Sequence, residues 1–259
     1  MVVSGKAQAP ARKSGLLHEL AELARAVLPA IALFLVLRVI FFQPYTIPSA
    51  SMEPNLYQGD YIIVSKFSYG WSRYSIPFSP PLFQSRLFEK PAHRGDIVVF
   101  ALPSHPDVAY VKRLIGLPGD RLQMKQGLLY LNGVQVPRTY LGQVTEDTGY
   151  GLVRKVFRYR ETLDGKSYVT NDFGLTEDLD NTGVFVVPRG HYFMMGDNRD
   201  NSSDSRVAPA DGGVGFVPAE NLIGKAQIVL LSWKAGVSLF KPWTWVQDFQ
   251  PGRALKPLH

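Results

Sequence analysis

The sequence contains no cysteine. That excludes thiol nucleophiles, disulfide staples and thiolate metal sites, and it fits an oxidising compartment as well as a cytosolic one. No HExxH or comparable ligand spacing occurs either, so metal-dependent hydrolysis has no support and no cofactor is implied. Charged residues are scarce, 19% against 46% hydrophobic, a globular balance that excludes a disordered or collagen-like chain. There is no internal repeat, and only one apolar run is long enough to approach a membrane span. What is present is 259 residues, room for one large domain or for a core carrying an insertion. With 23 Gly, 19 Pro and 12% aromatics, short strands joined by turns are favoured over a helix bundle. The net charge of +6 suits acidic partners, nucleic acid or an anionic membrane, and its distribution must choose among them.

An apolar stripe at Leu16, Leu20, Leu23 and Val27 has helical spacing. It leads into residues 26–42, apolar except for Arg38, which as a helix would rise roughly 26 Å, at the short end of what spans a bilayer. Pro29 near its start is tolerable, and Arg38 can snorkel to the headgroups from the far end. Two other readings compete. A buried core helix is rarely apolar on every side. A removable signal peptide is suggested by Ser49-Ala50-Ser51, small residues at cleavage-site spacing, but Arg38 within the run and Pro44 and Pro48 before the cut oppose it. A retained anchor is the reading adopted. Lys6, Arg12, Lys13 and Arg25 precede the span against Glu19 and Glu22, which places the N-terminus in the cytoplasm and everything after Phe42 outside. The expected division is a cytoplasmic segment 1–25, a transmembrane helix 26–42 and an extracytoplasmic domain 43–259.

Beyond the anchor, residues 59–67, 95–102, 109–120 and 128–136 are β-branched or aromatic runs punctuated by Gly, Asp, Asn and Pro, which read as strands. Asn132-Gly133 between apolar runs signals a hairpin. Residues 137–182 are more polar, with weak strands at 152–160 and 166–170, and suggest an insertion, placed at about 121–183. Strong strands return at 184–188, 191–197 and 222–233. The Pro-rich stretch 68–91 reads as a long irregular loop. The expected fold is mainly β: an antiparallel β-sheet core with a β insertion, preceded by one N-terminal transmembrane helix. Trp233, Phe240, Trp243 and Trp245, with Lys234 and Lys241, form an amphipathic mix suited to a membrane surface.

Three segments could carry chemistry. In IPSASMEP (47–54), prolines bracket Ser49 and Ser51, so the backbone must turn there. A serine on such a turn is a candidate nucleophile, although on this segment alone an ordinary turn or cap serine is the commoner case. The available histidines, His93, His105 and His191, lie in no recognisable triad context, His18 being cytoplasmic and His259 terminal. In AYVKRLIG (109–116), alternation sets Lys112 and Arg113 on opposite faces that are otherwise apolar, so one cation is expected to point inward. Only a lysine could then serve as base, because arginine keeps its proton. The third segment, GDNRDNSSDSR (196–206), resembles a calcium loop in the positions of Asp200, Ser202, Asp204 and Asp211. It lacks the required glycine, having Ser205 there, and ends without the bidentate glutamate. Interleaved Arg199 and Arg206 suggest a self-contained, ion-paired loop instead.

Together these segments resemble bacterial type I signal peptidase, the membrane-bound Ser/Lys endopeptidase family of protein export. The matching blocks are YTIPSASMEPNLYQGDYIIVSKFSYG (45–70), RGDIVVF (94–100), YVKRLIGLPGD (110–120) and GDNRDNSSDSR (196–206), with ENLIGKA (220–226) a weaker match. The resemblance implies that Ser51 is the nucleophile and Lys112 its general base. Ser49 would join the Ser51 backbone N–H in the oxyanion hole, and Ser202 would hydrogen-bond and orient the Lys112 amine. Asp197, Arg199, Asp204 and Arg206 match supporting ion pairs. Ile47, Pro48, Met52, Leu56, Tyr110 and Val111 match positions lining the family's small-residue pockets. It further implies cutting after small residues at A-x-A sites, with signal-peptide-bearing preproteins and membrane lipid as partners and no nucleic acid. The location implied is the cytoplasmic membrane of a bacterium, single-pass, with the catalytic domain on the periplasmic face. The oligomeric state is left open.

One departure is the stretch VAPADGGV (207–214), where the family has an aromatic-Trp-Gly pair of turns; it puts local loop contacts in doubt. Two alternatives stand beside this reading. A self-cleaving repressor shares the Ser/Lys chemistry but needs a DNA-binding domain, and residues 1–43 show no helix-turn-helix. A non-catalytic membrane-anchored β module would tolerate replacement of Ser51 and Lys112.

Overall fold

The computed structural model describes residues 15–77, 79–81, 85–147, 153–175, 177–234, 237 and 242–258. Helix α1 (Gly15–Ile40) includes a 21-residue stretch, His18–Arg38, that is long and apolar enough to cross a membrane, and none of it is buried by the rest of the chain. Leu28, Ile31, Phe34 and Leu37 are exposed on it, covering more than one face, so no soluble core accounts for the run. The helix begins earlier than the expected span and stops at Ile40. Phe42 is already in strand β1 (Phe42–Thr46), paired with Ser65, so Phe42 belongs to the sheet and not to the helix. Lys6, Arg12 and Lys13 lie outside the described residues, as do Phe240, Lys241 and His259 and the side chain of Trp243.

Apart from 3-10 turns and a short second helix, α2 (Pro242–Gln247), the regular structure after α1 is antiparallel sheet. After β1 come β2 (Asp60–Ser65), β3 (Ile97–Leu102), β4 (His105–Gly116), β5 (Arg121–Lys125), β6 (Leu128–Leu131), β7 (Val134–Gln135) and β8 (Arg138–Asp147). There follow β9 (Val153–Leu163), β10 (Lys166–Asp172), β11 (Phe185–Val186), β12 (His191–Met195), β13 (Val217–Pro218), β14 (Leu222–Ser232) and β15 (Lys256–Pro257). The main sheet has the order β1-β2-β14-β3-β4-β12-β13, with β15 on β14. Between β4 and β12 the chain builds two smaller sheets, β10-β9-β8 and β11-β5-β6-β7. The Asn132-Gly133 turn has both residues at positive φ, 53° and 84°, and joins β6 to β7 as a hairpin.

Strand β3 explains why its sequence shows no alternation. Ile97, Val99 and Ala101 pack into one hydrophobic cluster with Ile47, Met52, Leu56 and Ile62, while Val98, Phe100 and Leu102 pack into another with Leu114 and Met194. Both faces are buried, so every position is apolar. Each such side chain contributes about 1.5–3 kcal/mol on burial, which makes β3 the anchor beside which β4 is held in register. That register sets the position of Lys112.

Candidate active site

Ser51 sits in a 3-10 turn, Ala50–Met52, entered from Ile47-Pro48. Ile47 is tied to the sheet by its N–H to the Asp60 carbonyl at 2.9 Å, and its own carbonyl accepts from Gly59 N–H at 3.0 Å. On the other side, Met52 and Leu56 are fully buried. The turn is thus pinned at both ends, and its serine stands at the mouth of a cleft, 8% exposed.

Strand β4 brings Lys112 to that serine. Its Nζ donates to Ser51 Oγ at 2.5 Å, and the Ser49 and Ser51 hydroxyl oxygens are 3.3 Å apart. Lys112 is 3% exposed. Burial pushes its ammonium down from 10.5 to about 8, the attraction of Asp204 and Asp197 and the repulsion of Arg206 acting as smaller influences. Such a shift corresponds to roughly 3 kcal/mol against the charged form. His105 Nδ1 is 3.1 Å from Ser104 Oγ and His191 Nδ1 is 3.0 Å from the Arg189 carbonyl, so both are engaged away from Ser51.

The 196–206 loop closes the site from behind. Asn198 donates its backbone N–H to the Ser51 carbonyl and its side-chain amide to the Ala50 carbonyl, both at 3.1 Å. Gly196 fits where a side chain cannot: a Cβ there would stand 2.2 Å from Ser202 Oγ and 2.5 Å from the Ser51 carbonyl oxygen. Ser202 is therefore beside the site, but its buried hydroxyl has no hydrogen-bond partner among the described residues. The expected bond from Ser202 to the Lys112 amine is not made; the Nζ bond observed is the one to Ser51.

The loop's ion pairs differ from a self-contained set. Arg206 pairs with Asp204 at 2.8 Å within the loop, and Asp204 also accepts the Gly196 N–H at 2.9 Å. Burial alone would raise Asp204, but Arg206 and the Gly196 N–H outweigh it and hold the carboxyl low. Asp197 instead takes Arg113 from β4 at 2.7 Å and the Asn55 amide at 2.7 Å. Arg199 takes Glu161 from β9, with its second nitrogen at 3.0 Å. Lys112 and Arg113 are both buried, where one inward cation was expected, because Asp197 neutralises the second. Glu161 carried no sequence signal of its own, since its partner Arg199 lies 38 residues further along the chain. The 207–214 stretch folds on itself, with Val214 N–H on the Asp204 carbonyl at 3.1 Å and its side chain in the core, leaving the loop before it intact.

A cleft of about 370 Å³ opens beside Ser51 and Lys112, and Ile47, Pro48, Tyr110 and Val111 line it. Met52 and Leu56 do not. Both are 0% exposed in the core beneath, where their four-residue spacing puts them on the inward side of the turn. Tyr45, Ile62, Val99 and Ala109 also stand in its walls. Tyr45 and Ala109 follow by strand alternation from Ile47 and Val111, and that periodicity was the available signal.

The chain matches the family model described as signal peptidase, peptidase S26, over residues 20–233. A signal peptidase I of Rickettsia typhi is 39% identical over 249 residues, 88% of this chain and 90% of that protein. One of Rickettsia canadensis is 42% identical over 213 residues, 79% of this chain and 77% of that protein. A crystal structure of a signal peptidase I from Enterococcus faecalis is 28% identical, with a TM-score of 0.30, over 52% of this chain and 97% of that one.

Proposed function

This chain belongs to the signal peptidase family S26 of serine peptidases, and we propose that it removes signal peptides from exported preproteins as a membrane-anchored endopeptidase with Ser51 as nucleophile and Lys112 as base. The observation that carries this reading is the 2.5 Å contact between Lys112 Nζ and Ser51 Oγ in a buried setting that favours the neutral amine. A neutral Lys112 accepts the Ser51 proton as the oxygen attacks the scissile carbonyl. The oxyanion then faces the Ser51 backbone N–H and the Ser49 hydroxyl. Lys112 returns the proton to the leaving amine and deprotonates the water that releases the acyl group. Ser202, one residue from the Asn201 and Ser203 that line the cleft, is assigned the role of orienting the Lys112 amine during turnover.

The cleft supports a preference for small side chains. Its walls are largely apolar and include residues of β1 and β4, so an extended substrate chain can lie along it with alternate side chains directed inward. This accounts for cutting after A-x-A. The apolar α1 anchors the chain in the cytoplasmic membrane, with residues 43–259 on the far side, where Ser51 meets a signal peptide as it leaves the bilayer. Detergent-solubilised protein incubated with an exported precursor tests the reading. One cut after a small residue is expected, and an uncut precursor contradicts it.

A further inference from the structure

We propose that Glu161, on the middle strand of the β8–β10 sheet, is a positioning residue for the Ser51 turn, acting through Arg199 and the 196–206 loop. The inference rests on the reading of Ser51 as nucleophile. It makes the inserted sheet a working part of the active site.

Glu161 is 1% exposed and accepts both terminal nitrogens of Arg199, together with the Tyr168 hydroxyl at 3.3 Å. Arg199 is equally buried and opens a 3-10 turn directly after Asn198. Asn198 is the residue whose N–H and side-chain amide hold the carbonyls of Ser51 and Ala50. One peptide unit therefore separates the buried ion pair from the hydrogen bonds that fix the nucleophile's backbone. The same backbone supplies the N–H assigned to the oxyanion hole.

The neighbouring strand repeats the linkage. Asn171 N–H donates to the Asp197 carbonyl at 2.9 Å and forms a parallel bridge with Asn198, and Phe173 N–H donates to Asp200 at 2.7 Å. Val169 shares the Asn55 amide with Asp197. Four consecutive loop residues, 197 to 200, are thus gripped from β9, from β10 and from Phe173 just beyond it. A bidentate carboxylate–guanidinium pair is directional, and an ion pair removed from water is weak as a source of stability. Its geometry is what the site uses.

The test compares the full-length wild type with Glu161→Gln, Asn198→Ala and the double variant in detergent, measuring kcat and KM on a precursor. Glu161→Gln is expected to lower kcat by about 10–100-fold, as a small misplacement of reacting groups does, with KM little changed. Asn198→Ala, which loses the amide bond to Ala50 and keeps the N–H to Ser51, is expected to lower kcat as well, and the double variant to lose less than the product of the two, because both act on the same turn. A purely structural role would leave kcat of the folded fraction unchanged or make the two effects multiply, and either result overturns the proposal. If Glu161→Gln does not fold, Glu161→Asp decides: it keeps the charge but is one methylene shorter. A lowered kcat at unchanged KM supports the proposal, and a wild-type kcat overturns it. A wild type that cleaves while Glu161→Gln matches it sinks this inference alone. A wild type that cleaves nothing sinks the assignment of Ser51 with it.

Discussion

Lys112 and Arg113 are chain neighbours, both buried, and among the described residues only Arg113 has a carboxylate partner, Asp197 at 2.7 Å. The two cations are thereby given opposite fates. Arg113 is held charged by Asp197 against the cost of burial. Lys112, with Ser51 as its hydrogen-bond partner, is left to lose its proton near neutral pH.

That cost should appear in stability. The folded value of Lys112 is about 8 against 10.5 for a free lysine, so between those values the unfolded chain binds the extra proton and stability rises with pH. Below pH 8 the penalty of roughly 3 kcal/mol is fully present. Lys112→Met should therefore be more stable than wild type at pH 7, with the gain shrinking as pH rises through 8 towards 10.5. Urea unfolding at the two extremes measures it, and equal midpoints at pH 7 would count against a strained lysine.

Asp197→Asn leaves the Arg113 guanidinium buried without its charge partner. Removing one member of a buried pair costs about 3–5 kcal/mol, and thermal unfolding should show a loss of that order. Asp197 also attracts the Lys112 ammonium, so its loss should move the Lys112 titration further down. A pH–rate midpoint that moves up would contradict this assignment of fields.

Gly196→Ala tests the close approach of the loop. The added methyl would overlap Ser202 and the Ser51 carbonyl oxygen, neither able to withdraw without moving the turn. Activity should fall about 10²-fold or more, since misplacing the nucleophile by about 1 Å has that effect. Near-normal kcat in a folded variant would show that the turn tolerates displacement.

Ser49→Ala removes one donor from the proposed oxyanion site. Mutation of a single such donor lowers kcat by about 10²–10³. The substrate KM should be little affected, and a change confined to KM would reassign Ser49 to binding.

Much of this architecture is legible in the sequence where burial is simple. Residues 97–102 are apolar throughout because both faces of β3 are covered, and Asn132-Gly133 marks its hairpin through its positive φ values. Strand β8 is missed because its side chains alternate between exposed and half-buried, so no apolar row announces it. The nucleophile and base stand in distinctive local sequence. Their supports do not: Glu161 and Arg199 are 38 residues apart, and nothing near either names the other. Met52 and Leu56 have apolar side chains that suit a pocket wall or a core equally, and only their packing in the folded chain decides for the core.

The central claim is that Lys112 takes the proton of Ser51, and the most direct measurement is precursor cleavage by Lys112→Arg beside the wild-type pH–rate profile. Wild-type activity should rise with pH through about 8, as the lysine becomes neutral. Lys112→Arg should be folded and inactive at every pH, because the guanidinium keeps its proton. A Lys112→Arg protein that cleaves at near wild-type rate would contradict the account and return the search for a base to His105 and His191.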